Sequence, residues 1–283
     1  MMNATEWAEM VNEGAETDGR PIYYSNTSSD PLYPAMSQLG EGTDWQDQIF
    51  RTAPIHSHNV SVNGGSENTK FAVVASYFGQ EGVVKNQDFN RVSLRNNIDT
   101  KISKVVDLST SLTISRVFAN TGRENGDGGG NTSIINASLV MPPTVPIYDP
   151  TTGEYVRLNY LPGSSTVPNP VPYVKHLQDK GTIDRILASA DLTFHSIDGL
   201  TLKVSGGADM SNASREVYEP KETYRGYNAN GIAEQQSRRS SSYSNENVLT
   251  YIKKIGQHSL NVMVGSSLLY EKNKTGSMTA RDF

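Results

Sequence analysis

The chain has 283 residues, 36% of them hydrophobic, with 24 glycines and a formal net charge of −5. It contains no cysteine, which excludes a disulfide framework and a thiolate metal site. It has no run of about 18 apolar residues, which excludes a transmembrane helix but leaves open a membrane β-barrel, in which only alternate residues face lipid. No basic stripe points to nucleic acid as a partner.

The first 50 residues are acidic, with nine acidic side chains and one basic side chain. Residues 4–13 predict a short amphipathic helix, with Trp7, Met10 and Val11 on one face and Thr5 as a possible cap. Residues 20–41 are rich in Pro, Gly, Ser and Tyr and predict an irregular loop. An acidic segment of this kind is most simply a solvated surface.

Alternating polar and apolar residues, punctuated by Gly, Asn, Asp and Ser, predict a series of antiparallel strands. The predicted strands are 59–63, 71–78, 91–102, 105–118, 184–196, 200–212, 244–253 and 258–271. In the clearest of them the even positions are uncharged and mostly apolar, as in Leu112 and Ile114. The odd positions carry the charged residues, as in Asp107, so the sheet has one apolar and one polar face.

The connections between these strands alternate in length. The short ones are 64–69, 103–105, 198–199 and 254–257, and the long ones are 79–90, about 119–182 and about 211–245. Strands of about ten residues with alternating short and long connections favour a membrane barrel. The periodicity alone leaves a soluble β-sandwich equally open.

The longest connection contains the candidate ligand-binding residues. Residues 132–141 predict a short helix that ends at Pro142, and prolines then make 142–172 a stiff, folded-back loop. Tyr148, Tyr155 and Tyr160 lie in this loop and are candidates for substrate binding. Tyrosine is also a common interfacial filler, and that alternative stays open.

The sequence offers no defensible catalytic or metal site. His56 and His58 share one face of an extended segment, but the other histidines are scattered. No carboxylate pair with glycosidase spacing and no G-x-S-x-G elbow is present. We therefore assign no catalytic residue, no metal and no cofactor, and an enzyme has only composition in its favour.

Several runs of the sequence resemble the SusC/RagA-like TonB-dependent outer-membrane transporters. They are TDWQDQIFRTAP, VNGGSENTKF, YFGQEGVVKNQDFNRVSLRNNIDTKIS and MPPTVPIYDPTTGEYV, together with ATEWAEMVNEG near the start, which resembles a segment just after the first barrel strand. The resemblance covers roughly residues 1–160. It implies an all-β fold, an antiparallel up-and-down meander of about eight strands that belongs to a larger transmembrane β-barrel with long extracellular loops.

The resemblance also implies a domain organisation and a function. Residues 1–51 would be an extracellular loop segment with a short helix, and residues 52–283 part of the barrel, with the plug and first strand upstream. The family imports large nutrients, oligosaccharides or peptides, across the bacterial outer membrane with TonB-derived energy and a SusD-like surface lipoprotein. Transporters of this family also contact outer-membrane lipid. The alternatives are a soluble β-sandwich adhesin or glycan-binding module and a carbohydrate-active enzyme.

Every second connection must lie on the same side of the membrane, because successive strands reverse direction. We therefore expect residues 1–50 and 119–182 to form the outer recognition surface. The short connections would then face the periplasm.

Overall fold

All eight strands pair with their sequence neighbours in one antiparallel sheet, ordered β1 to β8. The computed structural model describes residues 2–31, 34–122, 133–157 and 167–283. The strands are β1 Ile55–Gly65, β2 Thr69–Glu81, β3 Asp88–Ser103, β4 Val106–Asn120, β5 Gln178–Ile197, β6 Leu200–Glu219, β7 Ile232–Ile255 and β8 His258–Arg281. This meander confirms the predicted fold class and is not the two-layer arrangement of a β-sandwich.

Within the described residues, five short α-helices and a 3-10 helix, Met36–Gln38, lie outside the sheet. The α-helices are α1 Ala4–Thr17, α2 Trp45–Ile49, α3 Ile134–Val140, α4 Val171–His176 and α5 Tyr224–Asn228. No helix in the described residues has the length and apolar character needed to cross a membrane.

The strand registers place the predicted apolar residues on one face of the sheet. Leu94 pairs with Ile114, Ile114 with Ile186, and Ile186 with Met210, so even positions meet even positions from β3 to β6. The pairing shifts to odd positions on β7, where Leu249 faces Val264 of β8. We call this side the apolar face and the other side the polar face.

All eight strands are longer than the sequence predicted, most of all β7 and β8, and the predicted loops 79–90 and about 211–245 are wrong in extent. Strand β6 continues to Glu219, β7 already begins at Ile232, and β8 runs on to Arg281. The ladder continues without interruption through Ser240–Asn273 and Arg239–Lys274. Both faces of the sheet are polar in this region, so the sequence lacks the alternation of polar and apolar residues that predicts a half-buried strand.

The alternation of short and long connections is confirmed. One end of the sheet, the turn end, carries the tight connections 66–68, 104–105, 198–199 and 256–257. The opposite loop end carries 82–87, 121–177 and 220–231. Gly199 shows how tight the turns are, because its φ is 78° and a Cβ there would lie 2.2 Å from the Ile252 carbonyl oxygen.

Helix α1 differs from its predicted form at both cap and face. Asn3, not Thr5, caps it: the Asn3 side chain accepts a hydrogen bond from the Glu6 amide, and the Glu6 carboxylate accepts one from the Asn3 amide. Ala4 and Ala8 are buried, Trp7 and Val11 pack beside them, and Met10 is exposed. The small alanines let the helix approach the loop beneath it closely.

Candidate functional site: the loop cap and the recess beneath it

The segments at the loop end pack together. We call this assembly the loop cap; it comprises residues 2–31, 34–51, 82–87, 133–157, 167–177 and 220–231. Trp45 of α2 lies at its centre and is 0% exposed, among Ala137, Met141, Val145 and Val171. The Trp45 indole donates a 2.9 Å hydrogen bond to the Pro142 carbonyl. A fully buried tryptophan with its N–H satisfied gives this part of the cap a hydrophobic core.

A second cluster joins the cap to the ends of the strands. Ile49 packs with Val84 of the β2–β3 connection, with Leu177 before β5, and with Val217 of β6. The Lys85 ammonium donates to the carbonyls of Asp47 and Gln48, at 2.7 and 2.9 Å, and so closes the end of α2. The cap is therefore fixed to three successive hairpins.

The N-terminal segment is attached to the long β4–β5 connection. The hydroxyl groups of Tyr24 and Thr144 lie 2.8 Å apart, and the Thr43 amide donates to the Pro143 carbonyl at 2.8 Å. These contacts join residues about one hundred positions apart in the chain. The acidic segment thus forms one side of the cap.

Two of the three predicted ligand tyrosines meet in the cap. Tyr148 and Tyr155 pair across the turn 149–154, with ring centroids 4.7 Å apart and planes inclined by 32°. The Asp149 carboxylate accepts hydrogen bonds from Thr151 and Thr152 and holds the turn, which lowers the pKa of Asp149. Tyr160 lies outside the described residues.

Two basic residues of α4 complete this aromatic cluster, and sequence reasoning missed both. The Tyr155 hydroxyl is 3.0 Å from His176 Nε2, and the Lys175 ammonium donates to the Tyr148 hydroxyl at 3.3 Å. Contacts with Tyr155 and Lys175 lower the pKa of Tyr148, whereas burial chiefly raises the pKa of Tyr155. Tyr148 is 43% exposed and presents its ring to solvent.

A second exposed ring–cation contact lies in the same cap. The Arg157 guanidinium sits 3.4 Å from the ring centroid of Tyr227, the latter in α5. Glu154 accepts a hydrogen bond from Arg157 at 2.8 Å and orients it. Neither residue was singled out from the sequence, because their contact joins two separate connections.

A recess of about 600 Å³ opens on the polar face below the cap. Val117, Ile183 and Ala213 supply apolar walls, and Gln236, Arg238 and Thr275 supply polar groups. Arg238 has no ion-pair partner among the described residues. A recess with apolar walls and a few directed polar groups is typical of a ligand site.

The rim of the recess carries an ion pair whose carboxylate is buried. Arg215 donates two hydrogen bonds of 2.6 Å to the Asp179 carboxylate, whose side chain is 0% exposed. The fork geometry satisfies both carboxylate oxygens, as burial of a charge requires. Lower on the polar face, Arg185 pairs with Asp209.

No group of three or more potential metal ligands occurs in the part of the chain that the structure describes. His56 and His58 lie near the loop end of β1, and the His58 ring stacks on Tyr77, 6.3 Å away. Their register with Gly79 and Tyr77 places both on the apolar face. His56 and His58 therefore lie near the loop end of the edge strand β1, on the apolar side of the sheet.

The fold and the polar recess define the class of protein: a β-sheet with one face for lipid and one for a hydrated lumen, closed at one end by packed loops. Solved structures share this fold. The match to the RagAB peptide transporter covers 100% of this chain and 34% of the transporter chain, with a TM-score of 0.76 and 19% identity. The ferric citrate transporter FecA matches 81% of the chain with a TM-score of 0.54 and 16% identity.

Sequence relatives agree with the fold. TonB-dependent receptor P3 of Formosa agariphila is 29% identical over 245 residues, which are 85% of this chain and 24% of the receptor. TonB-dependent receptor SusC of Bacteroides thetaiotaomicron is 28% identical over 246 residues, 79% of this chain and 23% of the receptor. No family model matches the chain.

The resemblance seen in the sequence is thereby confirmed: the chain is similar to a segment of TonB-dependent receptors such as SusC, and it shares the fold of part of the RagAB peptide transporter. It spans about a quarter of the length of these receptors. Its location is the bacterial outer membrane, and its relatives are receptors and transporters, so the enzyme alternative is wrong.

Proposed function

We propose that the barrel containing this segment imports a large nutrient, an oligosaccharide or a peptide, across the outer membrane with TonB-derived energy. The observation that carries the proposal is the recess on the polar face, which lies below the packed loops of the cap. The names of two relatives support it, since one is SusC and another is a peptide transporter.

Arg238 gives the recess its chemical preference. Within the part of the chain that the structure describes, this guanidinium has no carboxylate partner and lies next to Val117 and Ile183. It therefore suits a substrate segment that carries a carboxylate beside apolar surface. The C-terminus of a peptide and an acidic sugar both have that chemistry. Gln236 and Thr275 would hydrogen-bond neighbouring polar groups.

The aromatic cluster would be the first contact on the outer side. Tyr148 exposes its ring, and Lys175 and Tyr155 hold that ring in place. A fixed aromatic face stacks on a sugar ring or an apolar side chain at low entropic cost. We assign substrate binding to Tyr148 and Tyr155 and keep Tyr160 as a candidate.

The partners follow from the surfaces. The acidic segment 1–50 and the long loop 119–182 would receive a SusD-like lipoprotein lid, and the apolar face would contact lipid. The organisation into an extracellular segment, residues 1–51, and a barrel part, residues 52–283, belongs to the same proposal. TonB would act through parts of the transporter outside these residues.

Two adjacent arginines provide the test, because consecutive residues of a strand point to opposite faces. In the full transporter we expect Arg238→Gln to weaken binding of a carboxylate-bearing substrate about tenfold or more, the value of one charge-assisted hydrogen bond. Arg239→Gln, on the apolar face, serves as the matched control and should leave binding unchanged. Binding is measured on purified transporter by calorimetry with candidate peptides and acidic oligosaccharides.

Equal losses in the two variants would remove the recess from the proposal, and unchanged binding in both would do the same. The aromatic cluster is tested separately. Tyr148→Phe keeps the ring and its contact with Tyr155 and should keep most of the substrate affinity, whereas Tyr148→Ala removes the stacking surface and should reduce affinity several-fold.

A further inference from the structure

The apolar face of β8 has the length of a membrane crossing and ends at an aromatic pair. Its apolar positions run from Leu260 to Tyr270, which is about 33 Å along the strand at ~3.3 Å per residue. At a tilt of about 45° that distance covers ~23 Å, close to the apolar band of an outer-membrane barrel. Tyr270 stacks with Tyr243 of β7, ring centroids 6.4 Å apart, as in an interfacial aromatic girdle.

Three basic residues follow on the same face, toward the loop end. Lys272 and Lys274 are the next two positions of β8 that point to this side, and Arg239 is the direct cross-strand partner of Lys274. Paired residues lie about 5 Å apart between strands, and alternate residues about 7 Å along one strand. The three cations thus form one compact group, which we call the basic patch.

The basic patch is not neutralised within the described residues. None of its three members has an ion pair there, and Ser241 and Asn212 are their polar neighbours by register. The acidic Glu271 directly precedes Lys272 in sequence, and because successive strand residues alternate between faces it points to the polar face.

The next charged groups on the apolar face compensate each other. Arg116 of β4 pairs with Asp184 of β5, and Asn212 separates Asp184 from Arg239. Lys180 and Glu216 are likewise direct cross-strand partners. The basic patch is therefore a local excess of three positive charges at the boundary of the apolar band.

From this arrangement we propose that Arg239, Lys272 and Lys274 bind the phosphate groups of lipopolysaccharide in the outer leaflet of the membrane. Three like charges within about 7 Å repel one another, so their clustering calls for a bound anion. A lipid anchored beside the aromatic girdle brings its phosphates to this height, and basic residues near a charged lipid surface are attracted to it. Guanidinium and ammonium groups are both suited to phosphate.

The test uses the full transporter that contains this segment. The triple variant R239S/K272S/K274S is compared with the matched control K104S/K253S/K254S, which removes three exposed lysines at the turn end. Each protein is purified and reconstituted in nanodiscs with lipopolysaccharide, with dephosphorylated lipopolysaccharide, or with phosphatidylglycerol. The readout is lipid retained per transporter after washing, measured by native mass spectrometry.

We expect the patch variant to retain about tenfold less lipopolysaccharide than the unchanged protein and the control variant. The unchanged protein should retain the dephosphorylated form no better than the patch variant does. Equal lipopolysaccharide retention in the patch variant would overturn the proposal, and would indicate that a strand beside β8 neutralises the patch. Patch-dependent retention of phosphatidylglycerol as strong as that of lipopolysaccharide would overturn the choice of lipid.

The proposal depends on the loop end lying outside the cell and not on the identity of the nutrient. Substrate affinity of the patch variant should equal that of the unchanged transporter, because the basic patch and Arg238 are on opposite faces. Failure of the lipid test therefore leaves the import proposal intact, and the reverse holds as well.

Discussion

The middle of the sheet and the loop cap are stabilised in different ways. Side chains such as Trp45, Ile49 and Leu177 are fully buried in the cap. Apolar side chains in the middle of the strands are exposed, as for Leu112 and, on the edge strand β8, Leu268 at 70%. The cap has a hydrophobic core of its own, whereas the sheet presents its apolar surface outward.

This difference indicates that the apolar face of the sheet contacts lipid and that the loop cap contacts water. A soluble protein rarely leaves a contiguous apolar patch as long as the one from Leu260 to Tyr270 in contact with water. In a bilayer the same surface is matched by lipid, and the ladder hydrogen bonds satisfy the backbone. The cap contacts water and must bury apolar surface by folding on itself, as any small domain does.

The largest effect that separates the two regions is expected from Trp45→Ala. Loss of this buried ring should destabilise the cap by about 3–5 kcal/mol. The sheet should remain assembled, because the residues that pack around Trp45 belong to the loop cap. Limited proteolysis should cut the variant within 133–157 or 167–177, while the heat-modifiable band shift of the assembled barrel persists.

Trp45→Phe is the control for that variant. It keeps an aromatic ring in the core and removes the hydrogen bond to Pro142, worth about 0.5–1.5 kcal/mol. Loss of barrel assembly in Trp45→Ala would contradict the separation between cap and sheet.

The second prediction concerns neighbours on the two faces of β4. Leu112→Arg places a charge on the apolar face and should cost about 2–4 kcal/mol near the middle of the membrane. Ser111→Arg places the same charge on the polar face, where Asn97 and water can solvate it. Folding yields in lipid vesicles should be much lower for the leucine variant, and equal yields would reverse or remove the assignment of the faces.

The sequence predicts the membrane part of this protein well, because lipid on one side and water on the other impose a two-residue period. Even positions from Leu94 to Met210 show that period, and the structure pairs them on one face. Beyond the membrane both faces of the sheet contact water, so the two-residue period disappears. The composition of Ser240–Ser242 predicts a loop, but ladder hydrogen bonds to β6 and β8 place this run in β7.

The cap is less predictable because its contacts are distant in sequence. Nothing local to Trp45 indicates that its indole meets the Pro142 carbonyl. The meeting of Tyr148 and Tyr155 had a local signal, since Asp149, Pro150 and Gly153 between them are typical turn residues. The sequence did not predict helix α4, because the prolines of residues 142–172 indicated a loop. Pro172 lies near the start of the helix, where proline is tolerated.

The smallest predicted effect is a pH dependence within the cap. The ionised Asp149 accepts hydrogen bonds from Thr151 and Thr152, which lowers its pKa below the ordinary value of about 3.9. The depressed pKa means that this stabilisation is fully present above pH ~4 and is lost as the pH falls through the folded-state pKa. Asp149→Ala should therefore loosen the turn 149–154 at pH 7 but make little difference under more acidic conditions.

Hydrogen exchange of a peptide spanning 147–157 measures that effect. Asp149→Asn keeps an acceptor oxygen without the charge, so its protection should be intermediate and should not change between pH 3 and pH 7 after correction for intrinsic exchange. A pH-independent difference between the unchanged protein and Asp149→Ala would contradict the role given to the carboxylate.

The central claim is that the loop end faces outward from the cell and the turn end faces the periplasm. The chain has no cysteine, so in a full transporter without other reactive cysteines a single introduced cysteine reports its own position. With a membrane-impermeant maleimide on intact cells, Thr152→Cys in the cap should be labelled. Glu67→Cys, in the connection between β1 and β2, should react only after the outer membrane is opened. Labelling of position 67 on intact cells with position 152 silent would contradict the topology.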